Sequence, residues 1–251
     1  MEKISLDKQF VVLEGNIGAG KSTMLNIMQK QLGLSVINEP TNKWQHVGQT
    51  DNILDLFYKD TKRWAYTFQS YAFLTRVHAI LEHMSLAQSG LVHVLERSVY
   101  CDRFCFAKNC YESQLMSPLE WHIYKEWFSW LVQNFTPRPS GFIYLRTAPE
   151  TSHQRISKRC RPEEMGIPLS YLQSLHQKHE DWLVHQKDVF DFLKDIPVLV
   201  LNCNQDFENN PTELDRHLTA ITAFMSQIQN KPKEQFISAP GSVPEKITQA
   251  R

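Results

Sequence analysis

The sequence predicts an α/β fold, a five-stranded parallel sheet covered by helices on both faces, and three observations predict it. Five short apolar runs recur along the 251 residues, each followed by a stretch of helical periodicity. Strands that alternate with helices form parallel sheets buried on both sides. The first run leads directly into a glycine-rich turn and then a helix, the opening unit of a nucleotide-binding α/β domain. No internal repeat interrupts this order.

Residues 10–13, Phe-Val-Val-Leu, are unbroken apolar and read as a buried strand. Residues 24–32 repeat their apolar positions at helical spacing. A second strand covers 35–38, a long helix runs from Arg63 to about Leu86, and a third strand covers 91–95. Ser117-Pro118-Leu119-Glu120 is a capping box with proline at the first helical position, opening a helix through about Asn134. Residues 141–145 form the fourth strand, 170–193 a long helix and 196–201 the fifth strand. Asn210-Pro211-Thr212-Glu213 repeats the capping chemistry for the last helix. From Asn230 the chain turns to Lys, Pro, Gln, Ser and Gly. We therefore expect one domain over 1–229 and a flexible tail over 230–251.

Composition narrows the function classes. Lys+Arg and Asp+Glu both number 27, so no excess charge favours a nucleic acid polymer or an anionic membrane. No apolar run approaches the roughly 20 residues of a spanning helix. The N-terminus has no apolar secretory core and is neither Arg-rich nor free of acid. Five cysteines without C-x-x-C point to reduced thiols in a cytosol-like compartment. Cys101 and Cys105 lie one helical turn apart, but with no matched His or Cys in the sequence they read as small core residues.

The glycine-rich turn carries the chemistry. Gly15-Asn16-Ile17-Gly18-Ala19-Gly20-Lys21-Ser22 matches G-x-x-x-x-G-K-[ST], followed by Thr23. Its glycines let successive backbone N–H groups face phosphate oxygens, and the helix N-terminus adds partial positive charge. Lys21 would reach the β/γ-phosphates and Ser22 would hold Mg²⁺. A dinucleotide fingerprint fails because Thr23 stands where a third glycine is required. The chain is expected to bind a nucleoside triphosphate.

In an open parallel sheet, ligands lie beyond the carboxyl ends of the strands. The second strand ends in Asn38-Glu39-Pro40 and the third in Leu95-Glu96-Arg97-Ser98. A carboxylate at Glu96 suits a metal beside Ser22. Glu39 suits acceptance of a proton from an attacking hydroxyl. After strand four, Arg155 and Arg159 share a helix face, with Arg161 just beyond, the pattern of a closing lid over a transferring phosphoryl group. From the residues alone the reading is phosphoryl transfer to a small hydroxyl acceptor.

At these positions the chain resembles the deoxynucleoside kinase family, which includes deoxycytidine, deoxyguanosine and insect-type multisubstrate enzymes. The strings are GNIGAGKST, NEPTNKW, RWAYTFQSYAFLTR, ERSVYCDRF, YLRTAPE, RCRPEEMGIPLSYLQSLH and HEDWLVH. They span residues 10 to about 207 in family order. The resemblance implies a P-loop kinase fold with a lid segment, ATP with Mg²⁺ as donor, and a homodimer formed through helices. It implies Glu39 as base at the 5′-hydroxyl, with Glu96 at the metal and named in some members as the acceptor. Arg97 would lie beside the reacting oxygen. Tyr58 and Glu164 would hold the sugar 3′-hydroxyl, Phe68 and Phe106 would sandwich the base, Trp44 would line the pocket, and Gln69 would bond the base edge. Arg155, Arg159 and Arg161 would form the lid, and Gln205, Asp206 and Phe207 would border the donor adenine.

Arg76 and Asp102 are expected to set base choice. Members that take deoxycytidine and purine deoxynucleosides resemble this chain in having Arg and Asp there, whereas thymidine-accepting members have small or apolar residues. The segment between Trp44 and Tyr58 is shorter than in the vertebrate enzymes, and the tail is more like the insect enzyme's. The start at Met1, close to strand one, leaves no room for a mitochondrial presequence, so the expectation is a cytoplasmic salvage enzyme. Three alternatives stay open: a broad-specificity kinase that accepts thymidine, a thymidylate-type monophosphate kinase and a non-catalytic assembly subunit. The monophosphate kinases have Arg where this chain has Asn38, and retention of Lys21, Ser22, Glu39, Glu96 and Arg97 speaks against the subunit.

Overall fold

The computed structural model describes residues 9–48, 50–86 and 92–230. Five strands, β1 (Gln9–Gly15), β2 (Ser35–Ile37), β3 (Val92–Glu96), β4 (Gly141–Arg146) and β5 (Val198–Asn202), form one sheet ordered β2-β3-β1-β4-β5. Every neighbouring pair is parallel. The chain leaves β1 toward β2 on one side, and leaves β3 past β1 toward β4 on the other. The connections after β1 and β3 therefore diverge, which opens a crevice at their adjoining carboxyl ends.

The helices are α1 (Lys21–Leu32), α2 (Thr41–Gln45), α3 (Ile53–Lys59), α4 (Thr61–Leu86), α5 (Val99–Cys101) and α6 (Lys108–Glu112). They continue with α7 (Pro118–Phe135), α8 (Pro149–Arg159), α9 (Leu169–His179), α10 (Asp191–Lys194) and α11 (Pro211–Asn230). A π-helical turn, Asp102–Ala107, joins α5 to α6. No helix among the described residues is long and apolar enough to cross a membrane.

Residues of β1 alternate between two cores, as period-two strands require. Val11 and Leu13 pack with Met24, Leu25 and Met28 of α1 and with Ile221 and Phe224 of α11. Phe10 and Val12 face the other side, where Phe73, Val77 and Ile80 of α4 meet Tyr124 and Phe128 of α7. Both faces of the central strands β1, β3 and β4 are covered, which is why these strands are buried along nearly their whole length.

The capping box at Ser117 forms in both directions: its hydroxyl accepts from Glu120 N at 3.2 Å and its own N–H donates to Glu120 at 2.7 Å. Asn210 caps α11 by accepting from Thr212 N and Glu213 N. The long helix expected from Arg63 is α4.

One helix differs from expectation. The stretch 170–193 is not continuous: α9 ends at His179, a π-helical turn covers Glu180–Val184, and the chain reverses before α10 with Gln186 and Asp188 at positive φ. His179, Glu180, Trp182 and Leu183 are buried along this turn. The helix stops because Gln186 and Asp188 take left-handed backbone that a right-handed helix cannot continue through. The fifth strand begins two residues later than expected, just after Pro197, which has no N–H to donate. The expected tail, 230–251, lies outside the described residues except for Asn230, the last residue of α11.

Candidate active site

The glycine-rich turn is packed into its shape from outside. Gly18 (φ +76) lies so close to α8 that a Cβ would stand 2.5 Å from Ser152 O. Gly20 (φ +94) lies against Phe207, with 2.8 Å to the ring for a Cβ. Neither position tolerates a side chain, and the left-handed backbone excludes one independently. Asn16 pins the turn to α9, its amide donating to Leu172 O at 2.8 Å and its oxygen accepting from Ile17 N at 2.9 Å. Ala19 is fully buried beneath the turn, and Thr23 is half-buried at the start of α1.

Lys21 curls back to donate to Gly15 O at 3.2 Å and Asn16 O at 3.0 Å, marking where phosphate oxygens would be met. Burial first, then the nearby Arg97 cation, bring its ammonium down to about 8. Ser22 donates to Glu96 Oε1 at 2.7 Å. Glu96 Oε2 accepts from Glu39 N at 3.3 Å. The ends of β1, β2 and β3 thus meet through one side chain.

Glu39 is the electrostatic centre. Its Oε1 accepts from Arg76 Nη2 at 2.9 Å and from Arg97 Nε at 3.1 Å. Burial works to raise its pKa, but Arg97 and Arg76 overcome it and hold the carboxyl down to about 2. Arg97 itself leaves β3 in the left-handed region (φ +63), and its guanidinium lies over the Phe106 ring at 4.5 Å.

Beside this cluster opens a cavity with about 460 Å³ of space, its opening to solvent included. Glu39, Trp44, Tyr58, Phe68, Gln69, Arg76, Arg97, Asp102 and Phe106 all line it. Trp44 is anchored by its indole N–H to Thr75 Oγ1 at 2.8 Å, and stands edge-on to Phe68. Phe68 in turn stacks on Phe57 at 4.8 Å. Arg76 grips Asp102 with two bonds, 2.8 and 3.2 Å, while a third goes to Glu96 O at 3.3 Å. The π turn after Cys101 carries Asp102 and Phe106 toward the same cavity.

The lid residues are not free. Arg155 donates to Gln205 O at 2.9 Å and reaches Ala19 O at 3.5 Å, tying α8 to the glycine-rich turn. Arg159 and Arg161 both bond Glu164. Glu164 is therefore held by two arginines and does not line the cavity, although burial and then its charge push the Tyr58 hydroxyl above its usual range. Asp206 accepts from Glu208 N and Asn209 N, shaping its own loop, and Phe207 is buried against Gly20 and His217.

Sequence reasoning missed three sets of residues. Leu54, Phe57, Ala72 and Tyr171 line the cavity, but as apolar or aromatic positions on helices they carry no local signal. Glu14 is buried in β1, where it accepts from Ser98 N at 2.9 Å and Ser98 Oγ at 2.5 Å. Burial, then proximity to Cys101, raise its carboxyl to about 8. A charged residue inside the run FVVLEG was the available signal. Third, Cys101 and Cys105 do have a partner, contrary to the sequence reading. His179, from 78 residues away, brings its Nε2 to 3.4 Å from Cys101 Sγ. These three are the one buried His/Cys group of metal-ligand spacing among the described residues. Only three donors are present, and the Arg97 cation donates to one of them at 3.2 Å.

A family model for deoxynucleoside kinases matches residues 11–226. A chicken (Gallus gallus) protein named deoxycytidine kinase 2 is 40% identical over 86% of this chain and 90% of its own length. A Xenopus laevis mitochondrial deoxyguanosine kinase is 39% identical over 85% of this chain and 88% of its own. The human deoxycytidine kinase is 42% identical over 79% and 85%, respectively.

The buried imidazole of His179 makes stability depend on pH. Burial, then the Arg97 cation, lower it to about 4; Lys21 acts the same way, while the Leu175 carbonyl and Glu14 oppose it. Between about 4 and 6.5 the unfolded chain binds this proton and the folded chain does not, so stability rises with pH across that window. His179 is expected to remove up to about 3 kcal/mol of unfolding free energy on going from pH 7 to pH 4. Urea titrations should show a shallower pH dependence for His179→Gln; parallel curves for variant and parent would refute this.

Proposed function

The chain belongs to the deoxynucleoside kinase family, and from that premise we propose that it transfers the γ-phosphate of ATP to the 5′-hydroxyl of deoxynucleosides in salvage, favouring deoxycytidine and the purine deoxynucleosides over thymidine. One observation carries the reading. The phosphate-loop serine, the Glu96 carboxylate, Glu39 and Arg97 form a continuous hydrogen-bonded chain from the glycine-rich turn to the aromatic-lined cavity. Donor and acceptor sites therefore share a wall, as direct in-line transfer requires.

Within this reading each group has a task. The sugar would enter with its 5′-hydroxyl toward Glu39, which stays ionised at every working pH and always offers an acceptor. A carboxylate this acidic is a weak base, which suits phosphoryl transfer because a loose transition state asks little proton removal until late. Arg97 faces the place where charge develops on the transferred group. Ser22 Oγ and Glu96 Oε1, hard oxygen donors 2.7 Å apart, fit the Mg²⁺ that accompanies ATP and would neutralise its terminal phosphates when bound. When ATP arrives, Arg159 and Arg161 exchange Glu164 for phosphate oxygens. The base would lie between Phe68 and Phe106, its edge read by Gln69, Arg76 and Asp102. Tyr58 and Glu164 would meet the sugar 3′-hydroxyl. Residues 1–229 act as one domain in this scheme, and five free cysteines accord with a reducing compartment such as the cytoplasm.

The acting unit we propose is a homodimer. Leu74 of α4 and Leu119, Trp127 and Trp130 of α7 are each more than half exposed, on two helices that pack together. Large apolar side chains grouped in this way mark an association surface.

Three outcomes test these statements. Glu39→Gln should lower kcat by about 10²–10⁴-fold while ATP still binds; near-normal turnover would remove Glu39 from its role. Arg76→Met with Asp102→Ala should raise thymidine phosphorylation relative to deoxycytidine. It should also lower kcat for both, because Arg76 is one of the two cations on Glu39; an unchanged ratio across a panel of the four natural deoxynucleosides would mean the pair does not read the base. Sedimentation equilibrium should find a dimer that Trp127→Glu with Trp130→Glu converts to monomer; a parent protein that is already monomeric would defeat the proposed assembly.

A further inference from the structure

We propose that Cys101 is a positioning residue for Arg97, holding its guanidinium through a sulfur hydrogen bond whose direction is set by His179. The proposal rests on the reading of Arg97 as the group that faces the reacting oxygen.

Arg97 needs such a support. Its backbone stands in the left-handed region, fixed by Arg97 N donating to Leu13 O at 2.9 Å. Its guanidinium makes three close contacts: Glu39 at 3.1 Å, the Phe106 ring at 4.5 Å and Cys101 Sγ at 3.2 Å from Nη1. Glu39 and Phe106 line the substrate cavity and would change partners when substrate enters. Cys101 is fully buried and does not line it, so its grip persists through turnover.

The thiol is itself oriented. His179 Nδ1 lies 2.7 Å from Leu175 O, and a carbonyl can only accept, so Nδ1 carries the hydrogen. A neutral imidazole then presents a bare lone pair at Nε2, 3.4 Å from Cys101 Sγ. The S–H points to His179, and the sulfur lone pairs are left for Arg97. The imidazole cannot swing, because its ring lies nearly parallel to Tyr144 (7°, 5.9 Å between centroids) and Tyr144 donates to Glu180 at 2.9 Å. Both side chains sit at the entrance to a π-helical turn, Cys101 before Asp102–Ala107 and His179 before Glu180–Val184. Such turns re-aim side chains that a regular helix would point elsewhere. A line of hydrogen bonds thus runs from the backbone of α9 through His179, Cys101 and Arg97 to Glu39.

The role demands a group that both donates and accepts. Serine meets that demand; alanine and valine do not. Steady-state kinetics on full-length Cys101→Ala, Cys101→Val and Cys101→Ser, with melting curves, test it. Misplacement of a reacting group by about 1 Å costs on the order of 100-fold. The Ala and Val variants should therefore lose about 10- to 100-fold in kcat, with the deoxynucleoside KM within about threefold of the parent. Cys101→Ser should recover kcat to within about threefold, which a purely space-filling role would not deliver. Valine covers the case in which the smaller alanine fails to fold. Parent-like kcat in the Ala or Val variant, or a Ser variant as impaired as they are, would overturn the proposal. Arg97→Lys distinguishes the two levels: unchanged kcat there would bring down the reading of Arg97 itself, whereas a large loss there with active Cys101→Ala would bring down the positioning role alone.

Discussion

A carboxylate shared by two buried arginines is the interaction on which the site depends. Glu39 accepts from Arg76 and Arg97 at one oxygen, and both guanidinium groups are nearly excluded from solvent. Taking three such charges out of water is costly, and the arrangement holds only because every charge is paired and hydrogen-bonded. Arg76 therefore also grips Asp102, and Arg97 also reaches Cys101. Within the cavity wall, Asp102, Arg76, Glu39 and Arg97 are consequently one electrostatic unit.

Sheet topology makes that unit possible. Parallel strands send their carboxyl ends to one edge, and the order β2-β3-β1-β4-β5 places β1 beside β3 where the connections diverge. The phosphate turn, Glu96 and Glu39 then come within hydrogen-bond reach although they leave three different strands. The same edge explains the packing of the glycine-rich turn: α8 and Phe207 press on Gly18 and Gly20 from the β4 and β5 side. Arg155 of α8 reaches Ala19 O from that same side.

Much of this was legible in the chain. The phosphate turn declares itself because its chemistry is local: a few consecutive residues must present N–H groups, so glycines recur at short spacing. The carboxylates at Glu39 and Glu96 were legible because each stands where an apolar run gives out, whereas Glu14 after the first run is buried within β1. The helix caps were legible for the same reason of locality. The break in the stretch 170–193 was not, since the left-handed backbone that ends the helix falls on Gln186 and Asp188, with no glycine to signal it. Nor was the partner of Cys101, because 78 residues separate it from His179 and only the crossing of two helical segments brings them together. Glu164, which the family resemblance sets at the sugar, is engaged in this structure by Arg159 and Arg161.

The amino-acid order by itself determined the strands, the phosphate turn, the caps and the inventory of charged groups that the family chemistry requires. These follow from short-range rules of backbone conformation and apolar periodicity. Tertiary structure alone decided which charges are paired: that Arg76 serves both Asp102 and Glu39, that Arg97 leans on a thiol, and that Arg159 bonds Glu164. Coulombic and hydrogen-bond energies depend on separation in space and on the exclusion of water, and neither quantity exists until the chain has folded.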